Sequence, residues 1–496
     1  MMPFTAFKPA LLWTDALLFG LVAALLLLVW QIRRHAHLAA PWRKVAMSRS
    51  GMVSATLLAA FALVGLLDSL HYRPALSDAP IAATGAGAKG GANGPDRPVV
   101  AAPIPAETRY AVELHSVLDL LLDPLPSQVE TTYSAPLATR AFNKTVIEAE
   151  GGTQRDYPRL KYAGTHLADE GGARVDDIGG RVLWGAAGGL ACGLAGLFVL
   201  ALLCGPGRAG RRLNAWLTGN GRDATHWAAW TVLALATLGG VLAWLAGGYH
   251  VFGTDKVGQD VLYQIMKSIR TALVIGTLTT LVTLPFGVVL GIAAGYFRGW
   301  VDDVIQYLYT TLNSIPGVLL IAAAVLMTQV YMDTHPDSFE TVTARADFRL
   351  LFLCLILGIT SWTGLARLLR GETLKLRELE YVQAAQAFGV SGWAILGRHI
   401  LPNVMHIVLI ALVMDFSGLV LAEAVLSYVG VGVDPSMISF GTMINSARLE
   451  MAREPMVWWA LAAAFVFMFV LVLAANLFAD AVRDALDPRT RVRGVA

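Results

Sequence analysis

The chain has 496 residues, of which 56% are hydrophobic and 15% charged, and its formal net charge is +2. That composition is too apolar for a soluble protein of this length and points to a membrane. The near-neutral balance gives no reason to expect nucleic acid as a partner.

A membrane-spanning helix needs about 20 mainly apolar residues. Nine segments qualify: 12–31, 51–70, 182–205, 227–249, 271–296, 304–331, 350–366, 405–430 and 456–479. The expected fold is therefore an all-α polytopic membrane protein. The first segment lacks a basic leader and is followed by Arg33 and Arg34, so it reads as an anchor with its N-terminus outside rather than as a cleaved signal. In the short loops, one side of the membrane collects nineteen Lys and Arg residues and the other eight, and the richer side is expected to be cytoplasmic. This places residues 71–181 in the periplasm and the C-terminal tail in the cytoplasm. Cys192, Cys204 and Cys354 all fall in apolar runs and read as packing residues, not as a disulfide or metal framework.

The 71–181 insert opens with a Gly/Ala/Pro-rich stretch, about 76–106, whose composition predicts disorder. Beyond it, Val112, Val117, Leu118 and Leu121 predict an amphipathic helix ending before Pro124. The rest reads either as an ordered cap or as a docking element for a partner. After the fourth span, Thr254 or Asp255 is placed to cap a turn. Asp260 is placed to start an interfacial amphipathic helix whose apolar side holds Val261, Leu262, Ile265 and Ile269. Pro285 and Pro316 fall within spans five and six and predict kinks, which suit a translocation path but are common in membrane helices.

Span seven runs into the cytoplasm through Arg367 and Arg370. Glu372, Lys375, Glu378 and Glu380 then form a charged stretch that reads as a solvated face. The following segment, EYVQAAQAFGVSGWAILGRHILPN (380–403), predicts two short helices with a bend. Tyr381, Ala384, Ala385 and Phe388 share a face, Gly389 terminates the first helix, Ser391 caps the second, and Pro402 closes it. Small residues at 384, 385 and 389 leave a bare face that suits close approach by another protein, although an ordinary loop explains it as well. In span eight, Asp415 and Glu423 place carboxylates in the membrane, where each costs about 2.5–3.5 kcal/mol on insertion scales and must face protein or water. They serve either as hydrogen-bonding groups or as proton or substrate contacts.

Gln383-Ala384-Ala385, Gly389 and Leu401-Pro402 resemble the EAA motif of permease subunits of bacterial ABC importers. Gln383 stands where that motif usually has Glu, and His399 where Ile is usual. The RHILPN ending is similar to the dipeptide/oligopeptide/nickel branch, and the resemblance extends over about residues 250–490. FGTDKVGQD (252–260) resembles a G-T-D-x-x-G-R-D signature, with Gln259 replacing its Arg, while NSIPGVLL (313–320), EAVLSYVGVGV (423–433) and NLFADAVRDALDPR (476–489) also match.

The resemblance implies that the last six spans form a type I importer core over 227–496, with a shared transmembrane domain at about 267–480 and a coupling loop at 367–404. Residues 1–226 are then an extra three-span region, expected at the periphery. The implied partners are a second homologous permease, two cytosolic ATPase subunits, a periplasmic substrate-binding protein and membrane lipid, in a bacterial inner membrane. The coupling residues implied are Glu380, Tyr381, Gln383, Ala384, Ala385, Phe388, Gly389, Leu401 and Pro402. No cofactor, catalytic residue or metal site is implied. The chain lacks a G-x-x-x-x-G-K-[ST] phosphate loop and H-E-x-x-H spacing, so it reads as a transport subunit and not an enzyme. The competing reading is an ion-coupled secondary transporter using Asp415 and Glu423. The Gln383-to-Pro402 pattern argues against that reading.

Overall fold

A computed structural model describes residues 7–75, 110–111, 113–149, 152–167, 172–204, 209–219, 224–336, 339 and 341–486. The expected disorder at 76–106, Val112 and the Asp487-Pro488 helix end lie outside the described residues. A short strand β1 (Phe7–Ala10) leads into α1 (Trp13–Arg34), α2 (Ala36–Met47) and α3 (Arg49–Asp68). Strands β2 (His71–Pro74) and β3 (His115–Ser116) add to β1 in an antiparallel sheet, with His71 opposite Ala10 and Ser116. A short helix α4 (Val117–Leu121) and the hairpin β4 (Thr145–Ala149) and β5 (Gly152–Asp156) follow. Then come α5 (Gly172–Leu203), α6 (Ala209–Thr218), α7 (Thr225–Ala246), α8 (Val261–Phe297), α9 (Gly299–Ser314), α10 (Gly317–Thr334) and α11 (Val342–Arg377). The chain continues through α12 (Glu380–Ala387), α13 (Gly392–Ile395), α14 (Leu401–Val429), α15 (Phe440–Glu450) and α16 (Trp459–Leu486).

Among the described residues, nine helical stretches are long and apolar enough to cross a membrane. The molecule is an all-α polytopic membrane protein whose few strands sit at the end of the bundle that carries the insert. Three local expectations change. The interfacial helix at 260–270 and span five are one 37-residue helix, α8, which continues through Pro285. Its start is as expected: Asp260 Oδ1 accepts from the Leu262 and Tyr263 amides at 2.7 and 3.4 Å. Pro316, by contrast, lies between helices. It drives Ile315 into an extended conformation (φ −89°, ψ 130°), and span six breaks into α9 and α10. The amphipathic helix of the insert shrinks to the five residues of α4, because Ser116 and Asp119 form a reciprocal cap there and His115–Ser116 pair as strand β3.

The N-terminal spans α1 and α3 pack directly on helices of the C-terminal part. α3 lies on α8 and α16, α1 on α8 and α11, and the α5–α7 pair stands outside α3. A buried ionic cluster explains this. The Arg270 guanidinium of α8 donates to Asp15 of α1 at 2.6 Å and to Ser69 after α3 at 3.2 Å, and lies 3.9 Å from Asp347 of α11. The Thr14 amide donates to Asp347 at 3.2 Å, and His71 Nδ1 lies 2.8 Å from Asp15. One turn away, Lys267 bridges Asp68 at 2.7 Å and Asp119 at 2.8 Å, tying α3 and α4 to α8.

The insert's described part is an ordered cap. The buried Glu130 carboxylate accepts from the amides of Lys161 and Tyr162, both at 2.8 Å, and lies 3.4 Å from His250 Nε2. His250 Nδ1 lies 2.7 Å from Asp260, the cap of α8. The 252–260 loop fits beneath this cap because Gly258 adopts φ +85°, and a Cβ there would sit 1.9 Å from the Glu130 carbonyl oxygen. Burial pulls the His250 imidazole down, but the hydrogen bond to Asp260 and then that to Glu130 outweigh it and leave its pKa raised to about 9. Burial raises the Glu130 carboxyl, but the His250 contact and the backbone amides outweigh it and hold it below the usual value.

Two outcomes follow from these contacts. In the α5–α7 crossing a Cβ on Gly189 would lie 2.3 Å from the Ala236 carbonyl oxygen, whereas one on Gly188 meets nothing within 4 Å. Gly189→Leu should therefore separate the pair and expose it to proteolysis, while Gly188→Leu should leave the digestion pattern unchanged. The second outcome concerns pH. His250 stabilises the docked cap fully below its ordinary pKa of 6.5 and loses that contribution as pH rises through about 9. Glu130 contributes above its ordinary value of 4.5 and loses that contribution as pH falls through its depressed one. The opening free energy of 125–167 from amide exchange should fall between about pH 6.5 and 9 and level off above that, and His250→Gln should remove that alkaline limb. An unchanged limb in the variant would show that another group titrates.

Candidate functional site

The 380–403 segment folds as a helix–turn–helix hooked onto the end of the bundle opposite the insert. Leu379 leaves α11 in an extended conformation, and α12 begins at Glu380 without a side-chain cap. Its inner face is held by the fully buried Val382, which joins Ile395 and Ile400 in one apolar cluster with Ile292, Leu369 and Val404. The cluster nails the loop to α8, α11 and α14. Ala385 packs at the edge of this cluster, so it belongs to the inner face, while Tyr381, Ala384 and Phe388 point outward.

The turn after α12 is built as expected. Gly389 adopts φ +75°, its amide donates to the Gln386 carbonyl at 3.0 Å, and the Val390 amide donates to the Ala385 carbonyl at 3.1 Å. This is the left-handed glycine termination, and it satisfies carbonyls that the helix end would leave open. A Cβ on Gly389 meets nothing within 4 Å, so the surface above it is bare. Ser391 occupies the N-cap position of α13, but its side chain makes no capping bond; the first turn closes on its carbonyl instead.

Pro402 does not end a helix. It sits in the first turn of α14, and the preceding turn, Leu396–Ile400, is wider, with the Leu401 amide reaching the Leu396 carbonyl. Pro402 has no N–H to offer, and the widened turn passes it without a break, so the loop runs directly into α14. Leu401 is half-buried against the cluster.

Polar contacts fix the rest. Asn403 Nδ2 donates to the Tyr381 hydroxyl at 2.9 Å and to the His399 carbonyl at 2.7 Å. Gln383 Nε2 donates to the Glu378 carbonyl at 3.2 Å, and Gln386 Nε2 to the Tyr296 hydroxyl at 3.3 Å. Arg370 grips Asp302 with two bonds of 2.6 and 2.7 Å, and these hold the Asp302 carboxyl below the usual range. The exposed tip consists of Phe388 (87% exposed) and Trp393 (69% exposed), the latter stacked edge-on at 5.4 Å from Phe297. The sequence reading missed Trp393 and Val382. A tryptophan in a polar loop was the available signal for the first; nothing local marks the second as an anchor.

The structure brings Glu380, Tyr381, Gln383, Ala384, Ala385, Phe388, Gly389, Leu401 and Pro402 into this one unit. It leaves Asp415 and Glu423 elsewhere, in different surroundings. Glu423 is buried and accepts from the hydroxyls of Ser427 at 2.6 Å and Ser439 at 2.9 Å. Asp415 is half-buried and lines a groove between α11, α14 and α16. Among the described residues no group of three or more His, Cys, Asp or Glu is placed to hold a metal.

The family described as "Binding-protein-dependent transport system inner membrane component" matches residues 287–492. The chain is 35% identical over 244 residues to a glutathione transport system permease protein of Pectobacterium atrosepticum, covering 49% of this chain and 73% of that protein. It is 32% identical over 245 residues to an oligopeptide transport system permease protein of Mycobacterium bovis, covering 49% and 78%. A solved structure of the MetNI methionine ABC transporter in an inward-facing conformation aligns with a TM-score of 0.36 and 15% identity, covering 46% of this chain and 98% of that one.

Gly389→Ala should cost only the strain of a left-handed alanine, about 1 kcal/mol, because nothing lies where its methyl would go. Val382→Asp should release the whole segment, since it buries an unpaired charge. Exchange of the Val390 amide distinguishes the two: slightly faster in the first variant, unprotected in the second.

Proposed function

This chain belongs to the family of binding-protein-dependent transport system inner membrane components, and on that premise we propose that it is a transmembrane subunit of an ATP-driven importer for peptides or similar small solutes. In this reading Glu380–Pro402 is its contact with cytosolic ATPase subunits. The supporting observation is the two-sided loop: an inner face locked into the bundle by Val382, Ile395 and Ile400, and an outer face of exposed aromatic residues beside a bare glycine. An aromatic pair around a position without a side chain suits insertion into a groove of another protein. The names of the relatives favour peptides as the cargo class.

The last six spans, within 227–496, would form a type I core pairing with a second homologous permease, and a periplasmic binding protein would deliver the solute. The charge bias of the loops favours an N-terminus and insert outside and a tail inside. ATP-driven closure of the ATPase dimer would push α12, and the unbroken passage from the 396–400 turn into α14 would carry that motion to the spans. The role is that of a transport subunit, with hydrolysis left to the ATPase partners. A secondary transporter needs its carboxylates to exchange protons, and Glu423, sealed between two serine hydroxyls, suits a packing role better.

The experiment is co-purification of the ATPase subunits together with receptor-stimulated ATP hydrolysis. Gly389→Asp is tolerable in the free loop, because Asp enters the left-handed region more readily than most residues. It should nevertheless abolish ATPase binding, as should Ala384→Glu on the outer face. Lys375→Ala, at a side chain 76% exposed, should be silent. Normal stoichiometry and hydrolysis in Gly389→Asp would exclude the segment as the coupling surface.

A further inference from the structure

We infer that the groove between α11, α14 and α16 is a subsite for a short zwitterionic peptide, with Asp415 receiving its ammonium end and Arg483 its carboxylate end. The inference rests on the proposed import of peptides and adds the substrate's size and the groups that read it. The groove encloses about 460 Å³, within the range of about 300–1,000 Å³ usual for small-ligand pockets. Its walls are apolar, with Leu368, Ile410 and Met414 among them, and it carries one acid and one base.

Among the described residues, neither Asp415 nor Arg483 makes a hydrogen bond or ion pair, and of the two Asp415 is half-buried while Arg483 is exposed. Three fully buried carboxylates of the helices are treated differently: Glu423 is bonded by two serines, Asp15 by Arg270, and Asp347 by Thr14. A half-buried carboxylate in a membrane helix is costly, and one left without a protein partner beside an open groove is a functional feature by default. The groove is open for a second reason: Gly364 on α11 lines it, and a Cβ there meets nothing within 4 Å.

The spacing sets the length of the ligand. Ser417 of α14 donates to Asn476 of α16 at 2.7 Å, which fixes the two helices level at that point. Asp415 lies two residues from Ser417 and Arg483 seven from Asn476, in the same axial direction because the helices run antiparallel. At 1.5 Å per residue the two charges are about 7 Å apart along the bundle. An extended peptide spans about 3.3–3.6 Å per residue, so two or three residues bridge them. Arg483 lies nearer the end that carries the 380–403 loop, so the carboxylate of the peptide points toward that end.

The test uses the complete transporter, with its partner permease, ATPases and receptor, in proteoliposomes. The probes are dialanine and N-acetyl-dialanine amide, which has the same backbone and no charges. Asp415→Asn and Arg483→Gln should each lower ATP-driven dialanine uptake by about tenfold or more, the loss of one charged hydrogen bond. Receptor-stimulated hydrolysis should persist, since neither residue touches the coupling loop. A second measurement does not depend on those variants assembling. With Cys192 and Cys204 replaced by Ser, a Gly364→Cys chain should be alkylated by N-ethylmaleimide, and dialanine but not the blocked peptide should slow the reaction severalfold. Unchanged dialanine uptake in both charge variants, or equal protection by both probes, overturns the subsite and leaves the importer reading intact. Uptake that collapses with a protonophore at constant ATP also overturns it, making Asp415 a proton carrier. If the unmodified complex hydrolyses ATP with its receptor but moves no peptide, it is the peptide reading itself that fails.

Discussion

Arg270 is the group on which the arrangement of this bundle depends. Its guanidinium is buried in helix α8 and is balanced by carboxylates from α1 and α11 and a hydroxyl following α3. Removing one partner of a buried ion pair typically costs about 3–5 kcal/mol, because the other is left charged and unsolvated. The three elements are therefore bound to one another through this residue, and Lys267 repeats the arrangement a turn away with Asp68 and Asp119. The N-terminal spans α1 and α3 consequently brace the helices that resemble a shared permease core. A chain shortened to start near Leu213 would leave Arg270 without Asp15 and Lys267 without Asp68.

Elsewhere the helices are held by close approach. Lipid is as apolar as leucine, so helices in a bilayer gain little from burying apolar side chains against one another and rely on small residues that let backbones touch. The α5–α7 crossing uses Gly185 and Gly189 against Ala236 and Gly240, and α8 uses Gly291 and Gly295 against the backbone of α11. The bundle thus has two kinds of joint. Charge clusters gather at the end bearing the insert, where α8 and α11 begin, and glycine contacts run down the spans. The cap around Glu130 and His250 extends the first kind outward, so the loop 252–260 is clamped between the cap and the start of α8.

At the opposite end the joint is different. The 380–403 segment is anchored on one face and bare on the other, and it continues into α14 through a widened turn instead of a break. α14 carries Asp415 fourteen residues after its start, about 21 Å along the helix. On the proposed reading, a displacement of the loop would travel along this helix to the groove. A single helix links the proposed coupling surface to the proposed subsite.

The number and rough position of the spans were legible in the sequence, because hydrocarbon thickness imposes a length that composition reveals. The Asp260 cap and the Gly389 turn were legible too, since both are set within a few residues. The join of 260–270 with span five was not, because nothing local distinguishes an interfacial helix from the first turns of a long one; contacts with the cap and with α3 decide it. The break at Pro316 and the continuity at Pro285 and Pro402 show the same limit. A proline's missing donor is visible in sequence, but whether the helix bends, widens or ends depends on what packs around it. The face expected to be bare in the 380–403 segment is exposed at Ala384 and Gly389 and half-covered at Ala385, since one helical position separates inward from outward and only the buried cluster fixes the rotation. The partners of Arg270 lie 255 residues before it and 77 after it, and no local pattern connects them. Sequence determined that the charges exist within the spans, while the tertiary structure decided which were neutralised inside the protein and that Asp415 was left half-buried without a protein partner among the described residues.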